Sequence, residues 1–392
     1  MIVNRRLFLK GSALIGCSLA AHPFMSTVTM AAAPGENRLV VIVLRGAMDG
    51  LDAVQPWGDP LLRKLRQNLS VGPQGGATDL DGFYALHREL APLLPLWKAG
   101  QLGFVHAVST PYRDERSHFD GQSMLEAGTA NDMIAEMRKG GWLNRLLTVM
   151  PDPEAETAYA IGNEDMLILS GEAYRKSWAP NTKFTISPQA QLLLDRAYED
   201  DPLFRKASAE AATIAANSPE IAGAGGPTAA AAALGGFAAD RMNGRTRIAA
   251  FSLSGFDSHA GQEAVLGRAL ANLSAAVLAL RDGLGANWDK TTVLAMTEFG
   301  RTVRENGSDG TDHGTAGAML MAGGAIKGGK VFGKWPGLGE GNLYADRDLL
   351  PTRDVRAYAA WAMAGLFGIP RNALETVVFP ALDMGTDPGI LA

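Results

Sequence analysis

Apolar residues fall along this chain in short dense runs separated by longer stretches of helical spacing. The runs Asn37–Leu44 (N-R-L-V-V-I-V-L), Gly103–Val108 (G-F-V-H-A-V), Thr246–Leu253 (T-R-I-A-A-F-S-L), Thr291–Met296 and Ala316–Ala322 have the length and composition of strands covered on both faces in a parallel sheet. Ala158–Leu169 suggests a further strand. Between the runs, Gln262–Leu284 sets Leu266, Leu270, Leu273 and Leu280 on one face, and Leu86–Ala99 keeps helical spacing despite Pro92 and Pro95. Helices are also expected after the polar loop Ser109–Gln122 to about Leu147, over Ser187–Asn217, and over Arg353–Phe367. The segment Ser218–Gly236, rich in Ala, Gly and Pro, reads as a mobile connector or part of a helical insertion at the sheet edge spanning about 187–240. Strands alternating with helices over the whole length predict an α/β fold with a mainly parallel central sheet and helices on both faces.

The first residues change that picture. Asn4–Lys10 (N-R-R-L-F-L-K) carries a twin-arginine pair, followed by the modestly apolar Gly11–Ala21 and small residues at Ala31–Ala33. This is the layout of a cleavable export signal over residues 1–33, and the Arg5-Arg6 pair with Phe8 and Lys10 resembles the twin-arginine kind. The translocation machinery of that route is therefore an expected partner, and a periplasmic or secreted location is expected for residues 34–392 as one domain. Leu14-Ile15-Gly16-Cys17 resembles a lipobox, but the apolar stretch before it is short and holds Lys10. No other apolar run reads as a transmembrane segment of the roughly 18–20 residues a bilayer requires.

Composition narrows the chemistry. A net charge of −5 without a Lys/Arg run argues against a nucleic-acid binder. The single cysteine, Cys17, lies in the export segment, so any metal in the body must be held by Asp, Glu and His. Those residues gather at strand ends. Asp49 and Asp52 follow the first run; His106 lies in the second, with Ser117, His118 and Asp120 in the loop after it. Asp257 and His259 follow another run, Glu298 and Arg301 the next, and Asp312 and His313 precede the last. Ligands of open α/β sheets lie beyond the carboxyl ends of the strands, so this pattern points to a divalent cation of the zinc, magnesium or manganese kind. Each residue also has a plainer reading. Asp257 and Asp312 fit turn or helix caps, Glu298 and Arg301 a salt bridge, Ser117 a loop hydroxyl, and His106 a core histidine.

The motifs R-G-A-M-D-G-L-D-A-V-Q-P-W-G-D-P (Arg45–Pro60), R-S-H-F-D-G-Q-S-M-L-E-A-G (Arg116–Gly128), G-F-D-S-H-A-G-Q (Gly255–Gln262), T-E-F-G-R-T (Thr297–Thr302) and G-T-D-H-G-T-A (Gly310–Ala316) resemble the domain-of-unknown-function 1501 family, in preserved order. That family is grouped with the alkaline phosphatase and sulfatase superfamily. The resemblance implies a three-layer, alkaline phosphatase-like α/β/α sandwich and, as is usual in that superfamily, a two-metal site, of zinc, manganese, magnesium or calcium, that hydrolyses a small anionic phosphate or sulfate ester. Under it, Asp49 is similar to the first metal ligand, Asp257 and His259 to a middle ligand pair, Glu298 to the Asp of an Asp-His pair, and His313, beside Asp312, to the late histidine. Ser117 stands where a nucleophile is expected, His118 is a candidate acid for the leaving group, and Arg301, Arg45 or Arg116 a candidate clamp for the anion. Two positions depart from the pattern: Phe299 replaces the histidine of the Asp-His pair, and Asp257 and His259 lie closer together than usual. An exported binding or assembly protein that kept the fold and lost the hydrolase is the competing expectation.

Overall fold

The computed structural model describes residues 28–32, 35–130, 140–150, 158–161, 166–173, 175–178, 226 and 228–392. Ten strands form its main sheet: β1 (Val28–Ala32), β2 (Arg38–Leu44), β3 (Leu102–Ser109), β4 (Ala158–Ile161), β5 (Arg175–Trp178), β6 (Thr246–Leu253), β7 (Thr291–Thr297), β8 (Gly317–Ala322), β9 (Val331–Phe332) and β10 (Arg353–Asp354). Their order is β9-β3-β8-β7-β2-β6-β1-β4-β5, with β10 beside β3. At the centre β2 runs parallel to both β7 and β6, in register from Arg38 opposite Thr291 to Leu44 opposite Thr297. Among the described residues only β1 and β8 run against the rest, so the sheet is mainly parallel as expected.

The period-2 geometry of β2 explains why its residues are apolar throughout. Val40, Ile42 and Leu44 enter one core while Leu39, Val41 and Val43 enter the other. The first core is closed by α4 (Ala229–Met242) and α5 (Gln262–Leu284), the second by α3 (Trp142–Val149) and α6 (Val355–Phe367); two further helices, α1 (Gly50–Ala53) and α2 (His118–Ala127), stand at the sheet's carboxyl edge. Leu266, Leu270, Leu273 and Leu280 of α5 are all fully buried. By length and composition α5 with the turn after it qualifies as a membrane span, contrary to the expectation from sequence, but this apolar face packs on the sheet as a core helix does.

Several expectations are corrected. The run Ala316–Ala322 is a buried strand, but it is antiparallel to both neighbours. Its connection from β7 is a loop that returns at the same edge without a crossover helix, and that connection forces antiparallel pairing. The helical spacing of Leu86–Ala99 is broken at the prolines into a 3-10 turn, Arg88–Leu93, and a short helix, Leu94–Lys98. Strand in Ala158–Leu169 is confined, among the described residues, to β4, with a 3-10 turn at Leu167–Leu169. The end of the expected connector is the helix α4, packed so closely on α5 that a Cβ at Gly235 would lie 2.3 Å from the Ala276 carbonyl oxygen. The helix expected over Ser187–Asn217 lies outside the described residues, as do residues 1–27 of the expected export signal. Residues 28–32 of that segment form β1, whose Ala31 pairs with Ile248 of β6.

Candidate functional site

The carboxyl ends of β2, β3, β6 and β7 and the start of the opposed β8 meet at one edge, where the polar loops gather. Two glycines bring those loops into contact. Gly46 has φ +114, and a Cβ there would sit 2.5 Å from the Asp257 backbone nitrogen; a Cβ at Gly310 would lie 2.4 Å from the His259 carbonyl carbon. Gly46 therefore serves both a backbone conformation L side chains rarely adopt and a close approach.

Glu298, immediately after β7, is fully buried and points inward. Its Oε1 accepts from the Gly46 N–H (3.0 Å) and Gln122 Nε2 (3.0 Å) and lies 2.8 Å from His118 Nδ1, while the Thr297 hydroxyl is 2.9 Å from Oε2. Burial opposes its ionisation, but the bonds from His118, Gln122 and Gly46 outweigh it and hold the carboxyl below its ordinary pKa. His118 opens α2, and its ring stacks on Phe299 with centroids 5.3 Å apart. The Glu298 bond raises the His118 pKa against the effect of burial. Its other nitrogen, Nε2, is a buried atom with no hydrogen-bond partner, although Asp257 Oδ2 lies 3.4 Å away.

Asp257 is half exposed, and around it the histidines converge. His259 Nε2 is 3.2 Å and His313 Nε2 3.5 Å from its Oδ1, and those two nitrogens are 2.8 Å from each other. Burial opposes ionisation of Asp257 too, but Arg301, donating to Oδ1 at 2.6 Å, and the neighbouring His118 and His259 hold its pKa low. Burial, opposed by the Arg116 carbonyl on Nδ1 at 2.8 Å, lowers the pKa of His313. His259 Nδ1 is 3.3 Å from Asp312 Oδ1; the Asp312 pKa is lowered first by its bond from Asn306.

One atom each of His118, Asp257 and His313 lies within 4.8 Å of the others, a grouping that could hold a cation. The three Nδ1 acceptors are the outer partners typical of metal-ligating histidines, and the unpartnered His118 Nε2 is aimed inward, so these donors fit a divalent ion.

The structure sorts the residues singled out from sequence. Asp257, His259 and His313 meet, joined by His118, whose expected role was leaving-group acid. Glu298 and Asp312 stand behind histidines rather than beside the group, because their oxygens are taken by Nδ1 atoms and other donors. Asp49 is withdrawn altogether: it caps α1 and is held by Arg66 at 2.7 and 3.1 Å and by Gln262 Nε2 at 2.7 Å, all buried. Arg301 is not an open clamp, since its buried guanidinium donates to the carbonyls of Gly46, Ala47, Phe256 and Thr311 as well as to Asp257. Ser117 caps α2, its Oγ 3.4 Å from the Asp120 N–H. His106 is a core histidine, its Nε2 near the carbonyls of Gly50 (3.2 Å) and Val54 (3.0 Å) and its Nδ1 accepting from Ala107 N–H. Arg66, Gln122 and Gln262 escaped the sequence reading; a lone Arg or Gln far along the chain carries no spacing signal.

Residues 99–378 match the family model described as "Protein of unknown function (DUF1501)", a span that contains every member of the histidine group and excludes Asp49 and Arg66. No curated protein and no solved structure matches the chain.

Proposed function

The chain belongs to that DUF1501 family, and from its own side chains we propose an exported, metal-dependent hydrolase of phosphate or sulfate esters, related to the alkaline phosphatase and sulfatase superfamily. One observation carries the reading: three imidazoles and a carboxylate converge at the carboxyl edge of a mainly parallel sheet, each histidine anchored from behind by an acceptor. His118, Asp257 and His313 are the residues that would hold the ion. A divalent cation there supplies Lewis-acid stabilisation for charge developing on an ester oxygen. The chain's own part is positioning. Glu298 orients His118, Arg301 orients Asp257, and the Arg116 carbonyl orients His313. Ser117, adjoining His118, caps α2 through Oγ and is hydrogen-bonded to the Tyr112 hydroxyl, so to act as nucleophile its Oγ would turn from those partners toward the ester. Export rests on the N-R-R-L-F-L-K segment at Asn4–Lys10.

A binding or assembly protein on the same fold is the second reading, favoured by Phe299, which lies buried under the His118 ring where the resemblance places a ligand. Elemental mass spectrometry of the purified protein beside an Asp257→Ala/His313→Ala variant separates the two. Near-stoichiometric metal lost in the variant, with hydrolysis of aryl phosphate or sulfate esters that Ser117→Ala abolishes, supports the hydrolase. Metal absent from both proteins after incubation with each candidate ion sinks it.

A further inference from the structure

Gln262 opens α5, and its side chain is fully buried. Its Nε2 donates to Asp49 Oδ2 at 2.7 Å and to Asp52 Oδ2 at 2.9 Å. Its Oε1 accepts from the Ser258 hydroxyl at 3.0 Å and from the Thr311 hydroxyl at 2.6 Å. Both N–H groups and both lone pairs of the amide are therefore spent. The partners also fix which way round it stands. Carboxylate oxygens accept, so the nitrogen faces them, and the two hydroxyls are left to the oxygen.

Those hydroxyls belong to the two loops whose histidines meet. Ser258 lies between Asp257 and His259, and Thr311 immediately precedes Asp312 and His313. His259 and His313 are 54 residues apart in sequence, yet their Nε2 atoms stand 2.8 Å from each other. That separation depends on how one loop is seated against the other. On the outer side Asn306 Nδ2 joins the His259 carbonyl (2.9 Å) to Asp312 Oδ1 (3.1 Å), through bonds open to solvent. On the inner side Arg301 and the Thr311 N–H hold backbone carbonyls of the two loops. Gln262 joins their side chains. Ser258, Gln262 and Thr311 are all fully buried, so water does not reach this link to replace a lost bond. Behind it the frame is held in turn: Arg66 grips both oxygens of Asp49, and Gln55 Nε2 donates to Asp52 Oδ1 at 2.9 Å.

We propose that Gln262 is a positioning residue of the histidine site. It sets the seating of the His259 loop against the His313 loop, and Asp49 and Asp52, themselves withdrawn from the site, act on it through this amide. The consequence for ion binding rests on the metal-binding half of the function proposed above; the seating of the loops does not.

The test compares Ser258→Ala, Thr311→Val and Gln262→Leu in the metal-stripped full-length protein, by heteronuclear NMR of the imidazoles and by cobalt(II) titration. Each hydroxyl variant removes one donor from a single loop. The expected result is a cross effect. Ser258→Ala shifts the His313 ring as well as His259, and Thr311→Val shifts His259 as well as His313. Gln262→Leu shifts both, and His106 stays at its wild-type position in all three. Cobalt affinity is expected to fall by roughly three- to tenfold in each hydroxyl variant, less than for an outer partner bonded directly to a ligand. A shift confined to the histidine of the substituted loop is what a local change alone produces, and it overturns the proposal. So does a folded Gln262→Leu protein with both rings unmoved, or cobalt held by the variants as tightly as by the wild type. If Gln262→Leu does not fold, the two hydroxyl variants decide. A folded wild-type protein that takes up no cobalt sinks the metal reading and leaves the imidazole spectra to decide this one.

Discussion

Asp49 and Asp257 hold matching places on neighbouring parallel strands, each a few residues beyond the strand end and each beside a glycine-bearing turn. Their surroundings are opposite. Asp49 is sealed away with a guanidinium on both oxygens, whereas Asp257 is half exposed, with Arg301 on its inner side and three imidazoles on its outer side. The difference teaches that a carboxylate at a strand end becomes structural or chemical according to what arrives opposite it. A buried arginine spends the charge, while a ring of anchored histidines leaves it to be spent on a ligand.

The largest expected effect tests the structural side. Arg66→Ala leaves Asp49 as a buried charge without its partner, and removing one member of a buried pair costs about 3–5 kcal/mol. Urea denaturation of the variant should show that loss, and replacing Asp49 and Arg66 together by apolar residues of similar volume should recover most of it. A loss below about 1 kcal/mol in the single variant would mean that Asp49 does not depend on Arg66 and that the contrast with Asp257 is false.

His106 belongs with Asp49. Burial pushes its pKa down from 6.5 to about 4, and the Ala107 N–H occupies the nitrogen that a second proton would need. The group is neutral in the fold and protonates more readily in the unfolded chain. Its contribution is therefore fully present above pH 6.5, falls as pH drops toward 4, and levels off below. A gap of this size amounts to about 3 kcal/mol across that window. Stability measured at pH 7 and at pH 4.5 should fall by much of that, and His106→Gln should flatten the difference. An equal fall in the variant would place the acid sensitivity elsewhere.

How far such contrasts are legible in sequence follows from the physics of each element. β2, β6 and α5 can be read nearly to the residue, because alternation into two cores and the leucine stripe have no competing explanation. The direction of β8 cannot be read, since a strand covered on both faces looks the same either way round. The alanine run of α4 looks like a linker until α5 is laid against Gly235. At the site, residue types and their strand-end positions are legible, which is why Asp257, His259 and His313 stand out. Whether Glu298 binds an ion or orients His118 depends on where its oxygens point, and the withdrawal of Asp49 depends on Arg66, which arrives from a separate loop. No spacing encodes either.

Glu298→Gln probes the boundary between the two environments. The amide keeps an acceptor for Gly46 and a similar shape, but it removes the charge behind His118 Nδ1. Outer partners of metal-ligating histidines are worth roughly ten- to a hundredfold in affinity. The variant should therefore hold cobalt that much more weakly, read by competition with a chromophoric chelator. Unchanged affinity would return His118 to the role of a leaving-group acid and leave the ion to the other donors.

The smallest expected effect on stability is also the most discriminating. Asp257→Asn removes the carboxylate from Arg301, yet the guanidinium keeps the carbonyls of Gly46, Ala47, Phe256 and Thr311, and water reaches the half-exposed side chain. Arg301 is buried, but Asp257 is half open to water and the amide oxygen of the variant can still accept from the guanidinium, so denaturation should shift by no more than about 2 kcal/mol while most of the bound metal is lost. If Asp257→Asn instead destabilised the protein as much as Arg66→Ala, Asp257 would be a structural partner of Arg301, and the histidines would face a salt bridge rather than a site.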